Sequence, residues 1–541
     1  MVYSDPLPFT VDPSKYLLVS YQLANSVPYL VQHSWTITQD AHQFVTATGS
    51  GDHTTDTTDT AFTATGSFNG DFTDLLTDVD VATTGTGTQA VLGDGLIDAW
   101  QPNSVVDGST GLADDLAAAA PTTPAGYGTI SEGIEANQIA TDYPESSASG
   151  LDVGGPSALA RIDRDVLDQP GLTTVVLDEG LEDILNGHSA DDLTKNSYMQ
   201  LLQYLQANNI NVIAVGLTPC TGYAGDGATG NSTNDPCTTA VDTARIAVNN
   251  WLANNPLNLS PWTSPALYYI DSDAAVGVTD PTSGAVSLDA HADNSDHVNL
   301  TNPGYGALTT AYLAAHDTWP LNDGAGTNAS DTASSFTNPY LSNDPTAGTN
   351  PATLAGSATW TSDTTRGTAL TLDGATGYAA TTGPVIDTTG SFSISTWVNL
   401  ANTPAANATI AAQDGTTVSG FYLQYNHTHT GNPGWAFNIP DTDTASPTWH
   451  TAYTDGATTG WTHLVGVYNA TAHTASLYVN GTLADTATGV TTINATGPFT
   501  LGRGQYNAAP SDYLPGAIST TETFNYALTP YQITALYQQI S

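Results

Sequence analysis

The sequence predicts a multidomain chain in which an α/β domain around a parallel sheet lies between an N-terminal β-rich segment and a C-terminal antiparallel β domain. Three observations predict it. Between residues 89 and 316, strand-like hydrophobic runs alternate with helix-period segments, the order expected of βαβ units. After Trp319 the helical periodicity nearly vanishes and short strands recur between turn residues, the mark of a β-sandwich. The length of 541 residues is room for three or so ordinary domains. The boundaries are set at 1–88, 89–316 and 317–541.

Taken in order, YLLVSYQL and HQFVTAT read as short strands of the first segment. The strands of the α/β domain are QAVLGDG, TTVVLDEG, NVIAVGLT and ALYYID, and its helices are SALARIDRDVLDQ, NSYMQLLQYLQANN, TARIAVNNWLANN and GYGALTTAYLAAH. In the last domain ALTLDG, FSISTWVNL, FYLQYN, WTHLVGVYN and ASLYVNG alternate as strands do, and YALTPYQITALYQQI closes the chain as one short helix or turn.

Composition restricts the partners. Lys and Arg number 7 against 52 acids, a formal charge of −45, and 46 of the acids are Asp against 6 Glu. A chain with so few cations cannot displace the counterions of nucleic acid, and an anionic membrane surface repels it. Self-repulsion on this scale is best tolerated in high salt or beside bound cations, so a saline habitat or a Ca²⁺-rich surface suits the chain. Disorder is countered by 40% hydrophobic residues, 10 Trp and 25 Tyr. No apolar run reaches the roughly 18 residues of a membrane span, and residues 1–30 lack the basic start and apolar stretch of a secretory signal. The expectation is an exterior protein whose signal has been removed or that leaves the cell by lysis. Cys220 and Cys237 flank a Gly/Asn/Thr-rich loop, which reads as a disulfide in an oxidising compartment or as two buried thiols. Nine Asn-X-Ser/Thr sequons, at Asn231, Asn258, Asn299, Asn328, Asn407, Asn426, Asn469, Asn480 and Asn494, fit an exterior location, although Thr richness alone produces many.

The ends of the parallel strands are where functional side chains belong, and there the sequence resembles a known family. Val91-Leu-Gly-Asp94-Gly95-Leu-Ile-Asp98, Gly133-Ile-Glu135-Ala136-Asn137, Glu179-Gly-Leu-Glu182-Asp183 and Asp296-His-Val-Asn299-Leu-Thr-Asn-Pro-Gly304-Tyr305 resemble the four blocks of the SGNH (GDSL) hydrolases. The segment from Gly155 through Arg161 and Arg164 strengthens the match, which is closest to secreted actinobacterial members. The resemblance implies a flavodoxin-like sheet, and it implies lost catalysis. The family's Ser, Gly, Asn and His positions fall on Gly95, Ala136, Glu182 and Asn299. Without a nucleophile or a general base, the acyl-enzyme route lacks both reacting groups, and a carboxylate at 182 opposes an oxyanion. His297 stands two residues from the expected His and has no Ser to activate, and Asp296 reads as a relic that caps the last loop. A recruited carboxylate set, Glu135, Glu182, Asp94 and Asp183, is the candidate for a hard cation such as Ca²⁺ or for a glycosidase-like acid pair. The alternative is a solvated mouth of a dead pocket.

From about residue 317, Trp319-Pro-Leu-Asn-Asp-Gly, Ala369-Leu-Thr-Leu-Asp373-Gly, Phe392-Ser-Ile-Ser-Thr-Trp397, Gly460-Trp461-Thr-His-Leu-Val, Leu477-Tyr-Val-Asn480-Gly481 and Leu501-Gly-Arg503 resemble a LamG-like, concanavalin A-like jelly roll. The resemblance implies a lectin-like or adhesive module that often binds Ca²⁺, though Ile518-Ser-Thr-Thr lacks an Asp pair of the typical pattern. Trp397 and Trp461 read as core. Tyr425, His427, His429, Trp435, Trp449, His450 and Tyr506, in turn-rich stretches, read as candidates for stacking on the apolar face of a sugar, with Tyr425, His427, Trp435, Trp449 and Tyr506 foremost. Relatives of the hydrolase carry a longer sandwich before the first block, so residues 1–88 are expected as a partial β-sandwich whose unpaired edges bind a second copy or another structural protein.

The expected function is a non-catalytic extracellular protein on a virion or cell surface: a pseudoenzyme scaffold joined to a glycan-binding, adhesive jelly roll, requiring no cofactor, with Ca²⁺ as the one candidate. Its partners would be surface glycans. The alternatives are a carbohydrate esterase or glycosidase with a rebuilt carboxylate site, and a passive shell or surface-layer subunit.

Overall fold

The computed structural model describes residues 19–20, 22, 32–33, 44–56, 58, 60–64, 73–74, 87–97, 111–119, 128–142, 155–225, 236–257, 267–313, 315–333, 349–427 and 432–539. The chain divides into two compact units, Met1–Asp114 with Tyr127–Asn302, and Asp115–Gly126 with Pro303–Ser541. Of the N-terminal segment, two short antiparallel pairs are described, Gln32–His33 with Thr73–Asp74 and Phe44–Thr46 with Phe62–Ala64. Most of the expected partial sandwich, including nearly all of YLLVSYQL, lies outside the described residues.

The first unit is built on a five-stranded parallel sheet of β1 (Thr88–Gly93), β2 (Gly128–Gly133), β3 (Leu172–Asp178), β4 (Asn211–Val215) and β5 (Leu267–Ile270). Its spatial order is β2-β1-β3-β4-β5, every pair parallel. Parallel strands are covered on both faces, so their side chains are apolar without alternation: Ala90, Val91, Leu92, Val175 and Val176 are all fully buried. β2, GTISEG, one of the two edge strands, has no such run, since only its last residue is buried, and the sequence pattern does not register it. Helix α1 (Ala158–Ile162) runs on through a π turn, α2 (Leu181–Leu185) follows β3, and a second π turn leads into α3 (Met199–Ala207). Helix α4 (Thr239–Ala253) starts where the Thr238 hydroxyl accepts the Val241 N–H. Cys220 and Cys237 are joined by a disulfide, Cα to Cα 5.8 Å, with the Cys220 side chain in this unit's core.

The second unit is a jelly roll of two facing antiparallel sheets. One runs β9 (Thr359–Asp363), β10 (Gly367–Asp373), β23 (Pro515–Phe524), β12 (Phe392–Leu400), β17 (Trp461–Asn469), β18 (Thr474–Val479) and β19 (Thr482–Thr488), with β6 (Asp317–Trp319) also on β23. The other runs β7 (Asn328–Ala329), β8 (Ala352–Ala355), β11 (Tyr378–Ala380), β20 (Phe499–Leu501), β13 (Ala408–Asp414), β14 (Ser419–Asn426), β15 (Gly434–Pro440) and β16 (Trp449–Asp455). A two-stranded hairpin, β21 (Gly504–Tyr506) with β22 (Ala509–Ser511), stands beside this second sheet. Between the sheets, alternate residues interdigitate: Phe392, Ile394 and Val398 from one side, Phe421, Leu423, Phe437 and Ile439 from the other. Trp319 stacks on Phe499 at 5.1 Å between ring centres. Helix α5 (Asn302–Leu313) enters this unit, where Gly306 lies against the backbone of Tyr531 and Gln532 in helix α6 (Pro530–Gln538); an added Cβ would come within 2.5 Å of Tyr531.

Trp397 corrects the reading of the strand as simple core. It points to the outer face of its sheet, where the Arg366 guanidinium lies 3.6 Å from its ring centre and Tyr537 of α6 stacks at 5.8 Å. Trp461, on the same face, donates its indole N–H to Asp363 at 3.0 Å and is half-buried. Among the described residues no helix is long and apolar enough to cross a membrane.

The core assignment generates a prediction. Phe437 is fully buried and touches Phe392 and Phe421 edge-on or tilted. Phe437→Ala should cost the jelly roll about 3–5 kcal/mol, read as a lower denaturant midpoint for its unfolding. An unchanged midpoint would contradict the packing described.

Candidate functional site

In the α/β unit the carboxyl ends of β1 and β3 bring acids together. Asp94, just past β1, is 4% exposed and accepts the Leu96 N–H at 2.9 Å. Asp178 ends β3, Glu179 follows it, and Asp183 opens α2; they are 2%, 1% and 0% exposed. Asp183 is well supplied, because its two oxygens take the Ile139 and Ala140 N–H groups at 2.8 and 2.9 Å and tie the second-block loop to α2. Among the described residues Asp178 Oδ2 and both oxygens of Glu179 have no hydrogen-bond partner. The buried cation beside Glu179 is Arg161 of α1. Its guanidinium donates to Asn137 Oδ1 at 2.9 and 3.1 Å and to the Glu132 carbonyl at 2.9 Å, and stands 3.9 Å from Glu179. Of the four sealed carboxyls only Glu179 has that guanidinium beside it, and the cheapest way to hold the set is to keep protons on it.

The titration behaviour follows from that geometry. Burial pushes Asp94 up to about 7, with the Asp183 charge adding to it, and burial pushes Asp183 up to about 6 against the pull of its two amide donors. Burial, then the Asp94 charge, holds Asp178 and Glu179 well above the usual carboxylate range.

The residues singled out in the sequence are distributed differently. Asp94 and Asp183 belong to the sealed set, while Glu135 and Glu182 are half-buried; Asp178 and Glu179, which complete the set, were not picked from the sequence. Their signal was available, since both sit at the end of a parallel strand. Gly95 follows Asp94 in a turn, and Ala136 is held at φ 57°, a left-handed conformation that strains a residue with a Cβ. Asp296 accepts the Val298 and Asn299 N–H groups and the Asn299 side-chain amide at 2.8 Å, so Asp296 and Asn299 are spent on one another. His297 turns away to pair with Asp293 at 2.6 Å and is exposed. Among the described residues no group of three or more His, Cys, Asp or Glu side chains is arranged to hold a metal ion.

In the jelly roll the structure sorts the aromatic candidates. Tyr425 and Trp435 are corrected: they are 0% and 3% exposed and pair across β14 and β15 inside the core, because Phe421, Leu423 and Tyr425 share one face of a period-2 strand. His427 is half-buried and donates its backbone N–H to Asn407, and His429 lies outside the described residues. Trp449 and Tyr506 do reach solvent, at 38% and 41%, and are the large aromatic side chains exposed among the described residues of this unit.

These two rings flank one patch. The Trp449 ring meets Tyr422 edge-on at 5.5 Å, and the Tyr422 hydroxyl donates to the Gln505 carbonyl of the β21 strand. Tyr506, next in that strand, donates its hydroxyl to the Ala445 carbonyl in the loop leading to Trp449. Gly504 lets the hairpin lie on Tyr422, since a Cβ there would come within 2.6 Å of that ring. Asp443 fastens the loops by accepting the Thr416, Thr417 and Val418 N–H groups, and Asp441 holds the Thr448 N–H beside Trp449. Asn438 sits across the strands from both Tyr422 and Thr451 and so faces the same side. The outcome is a surface with two exposed rings and the Asp441 and Asp443 carboxylates beside them, with Asn438 buried beneath it.

Comparison with known proteins places this unit in a class. Residues 373–534 match the Laminin_G_3 model of the concanavalin A-like lectin/glucanases superfamily, so the C-terminal region is a concanavalin A-like jelly roll. Among solved structures, domain 4 of AbnA, a GH43 extracellular arabinanase from Geobacillus stearothermophilus in complex with arabinotriose, is 18% identical, with 41% of this chain and 98% of that one covered, at a TM-score of 0.31. The botulinum neurotoxin serotype D binding domain is 13% identical, with 42% and 52% covered, TM-score 0.31. The binding domain of botulinum neurotoxin DC in complex with SialylT is 17% identical, with 36% and 46% covered, TM-score 0.28. The chain thus spans about half the length of the two neurotoxin domains. No curated protein matches the sequence.

The sealed acids make a prediction about pH. Their folded values lie above the roughly 4 of an unfolded Asp or Glu, so the stability they allow is fully present below pH about 4 and is lost as pH rises through about 6 and 7, where Asp183 and Asp94 titrate. Unfolding of the α/β unit should move to lower temperature from pH 5 to 8, and Asp178→Asn with Glu179→Gln should flatten that slope. A midpoint that climbs with pH would contradict the burial of these groups.

Proposed function

We propose that this chain is a non-catalytic glycan-binding protein of a virion or cell exterior, in which an SGNH-type α/β domain serves as scaffold and the jelly roll makes the contact. The observation that carries the reading is the pair of exposed rings, Trp449 and Tyr506, held at one patch by Tyr422, the hairpin and the Asp-fastened loops. Exposed aromatic rings cost solubility, and rings fixed by their neighbours lose little entropy when a sugar stacks on them. The β2-β1-β3-β4-β5 strand order supports the SGNH-type, flavodoxin-like assignment, since that is the doubly wound order of such folds. Loss of hydrolysis is supported by Gly95 in place of a nucleophile and by the Asp296–Asn299 pair, which leaves no imidazole on the family Asp. The charge excess supports an exterior, saline setting, and the N-terminal segment is proposed as the contact to a second copy or to another structural protein.

A glycan array run with and without Ca²⁺, beside a p-nitrophenyl acetate assay, tests this reading. Wild-type chain should bind a subset of glycans, and Trp449→Ala should weaken that binding about twofold to tenfold, in line with the ~0.5–1.5 kcal/mol a ring contact carries beyond its buried area. Ester turnover should not exceed that of Glu182→Ala. Turnover above that control would instead establish a rebuilt esterase site, and assembly without any glycan affinity would establish a shell subunit.

A further inference from the structure

The charges around the aromatic patch say which sugars it takes. The unit from residue 317 onward contains two Lys or Arg side chains, Arg366 and Arg503, each engaged at part of its guanidinium; among the described residues Arg366 Nε and Nη2 and Arg503 Nε are buried without a hydrogen-bond partner. Arg503 is 6% exposed, binds Asp414 at 2.9 Å and lies 4.8 Å from the Tyr378 ring centre. Arg366 lies on Trp397 and donates to Gln539 at 2.7 Å. At the patch itself the charged groups are acids. Asp441 and Asp443 lie in the loop that carries Ala445, one accepting the Thr448 N–H and the other the Thr416 N–H, and Asp512 follows the hairpin. Asp512 and Asp414 lie close enough to Tyr422 to raise its phenol, behind the larger effect of burial. His450, the neighbour of Trp449, lies near enough to Asp441 to help lower that carboxyl, behind the hydrogen bonds from Thr448 and Thr442.

An acidic sugar placed on these rings would bring a carboxylate or sulfate to a surface that has no free guanidinium or ammonium to receive it. Such groups are recognised by Arg or Lys, and desolvating them beside fixed anions is repulsive. A neutral sugar meets no such penalty. Its C–H face stacks on Trp449 or Tyr506, and its hydroxyls donate to the carboxylates and carbonyls that are repulsive to an anion. Resting on the glycan-binding reading, we propose that the Trp449–Tyr422–Tyr506 patch is selective for uncharged saccharides and rejects sialylated, uronic and sulfated ones.

The test is an array of matched pairs on the full-length chain, each neutral oligosaccharide beside the same core carrying sialic acid, a uronic acid or a sulfate. Neutral members should bind, their acidic partners should bind at least ten times more weakly, and the gap should narrow as NaCl is raised from 0.1 to 1 M, because the rejection is electrostatic. Trp449→Ala should weaken the neutral signal several-fold without raising the acidic one. Acidic partners binding as well as or better than the neutral cores would overturn the selectivity and leave glycan binding intact. A gap unchanged by salt would overturn the electrostatic cause. Silence across the whole array would remove the glycan reading, and the selectivity with it.

Discussion

The constraint on which the rest depends is the shortage of positive charge. With 52 acids and 7 basic side chains, most carboxylates in this chain cannot be paired with a cation and must find another counterweight. The counterweight is the chain's own backbone. Asp280, Asp363, Asp373 and Asp387 each accept N–H groups from residues two to four further on, and Asp293 and Asp296 do the same in the last loop of the α/β unit. Of the two acids it is the shorter Asp that closes such a turn, so the 46 Asp against 6 Glu is a structural preference as well as a solubility device. For Asp363, Asp373 and Asp280, hydrogen bonds from the backbone hold the carboxyl below its usual range.

The few cations are spent inside. Arg161 gathers the ends of β1 and β2 with Asn137, and Arg245 holds the Leu217 carbonyl with Asp242 and Asp273. Arg366 and Arg503 brace the jelly roll, and the exposed Lys195 and Arg164 are taken by Asp191 and Asp165. Acids sealed from water whose oxygens lack a hydrogen-bond donor among the described residues, Asp178 Oδ2 and Glu179, are left to protons. The surface that remains for a partner is then anionic and aromatic, which is the chemistry of sugar stacking and not of phosphate or membrane recognition.

Much of the architecture was legible in the sequence. β1, β3, β4 and β5 fall within the apolar runs read as strands, because strands covered on both faces need unbroken hydrophobicity. The edge strand β2 was not legible, since one covered face leaves too weak a pattern in six residues. Tyr425 and Trp435 were misread because turn residues nearby suggested loops, whereas their register on β14 and β15 puts them inside. Trp449 was identified although it opens a strand, and its exposure is a matter of position at the sheet's edge. The acid cluster depends on which strand ends become neighbours, which a single sequence does not display; the β1–β3 pairing is what sets Asp94 beside Asp178.

The central claim, that carboxyls here are balanced by backbone amides and by protons, is tested most directly by titrating the ¹³C-labelled carboxyl signals of Asp and Glu. The account predicts a split population, with many Asp signals moving below pH about 3.5, the lower side of the unperturbed Asp value, and a small group including Asp94 and Asp183 moving near pH 6 to 7. A single band of midpoints near the unperturbed value would contradict it.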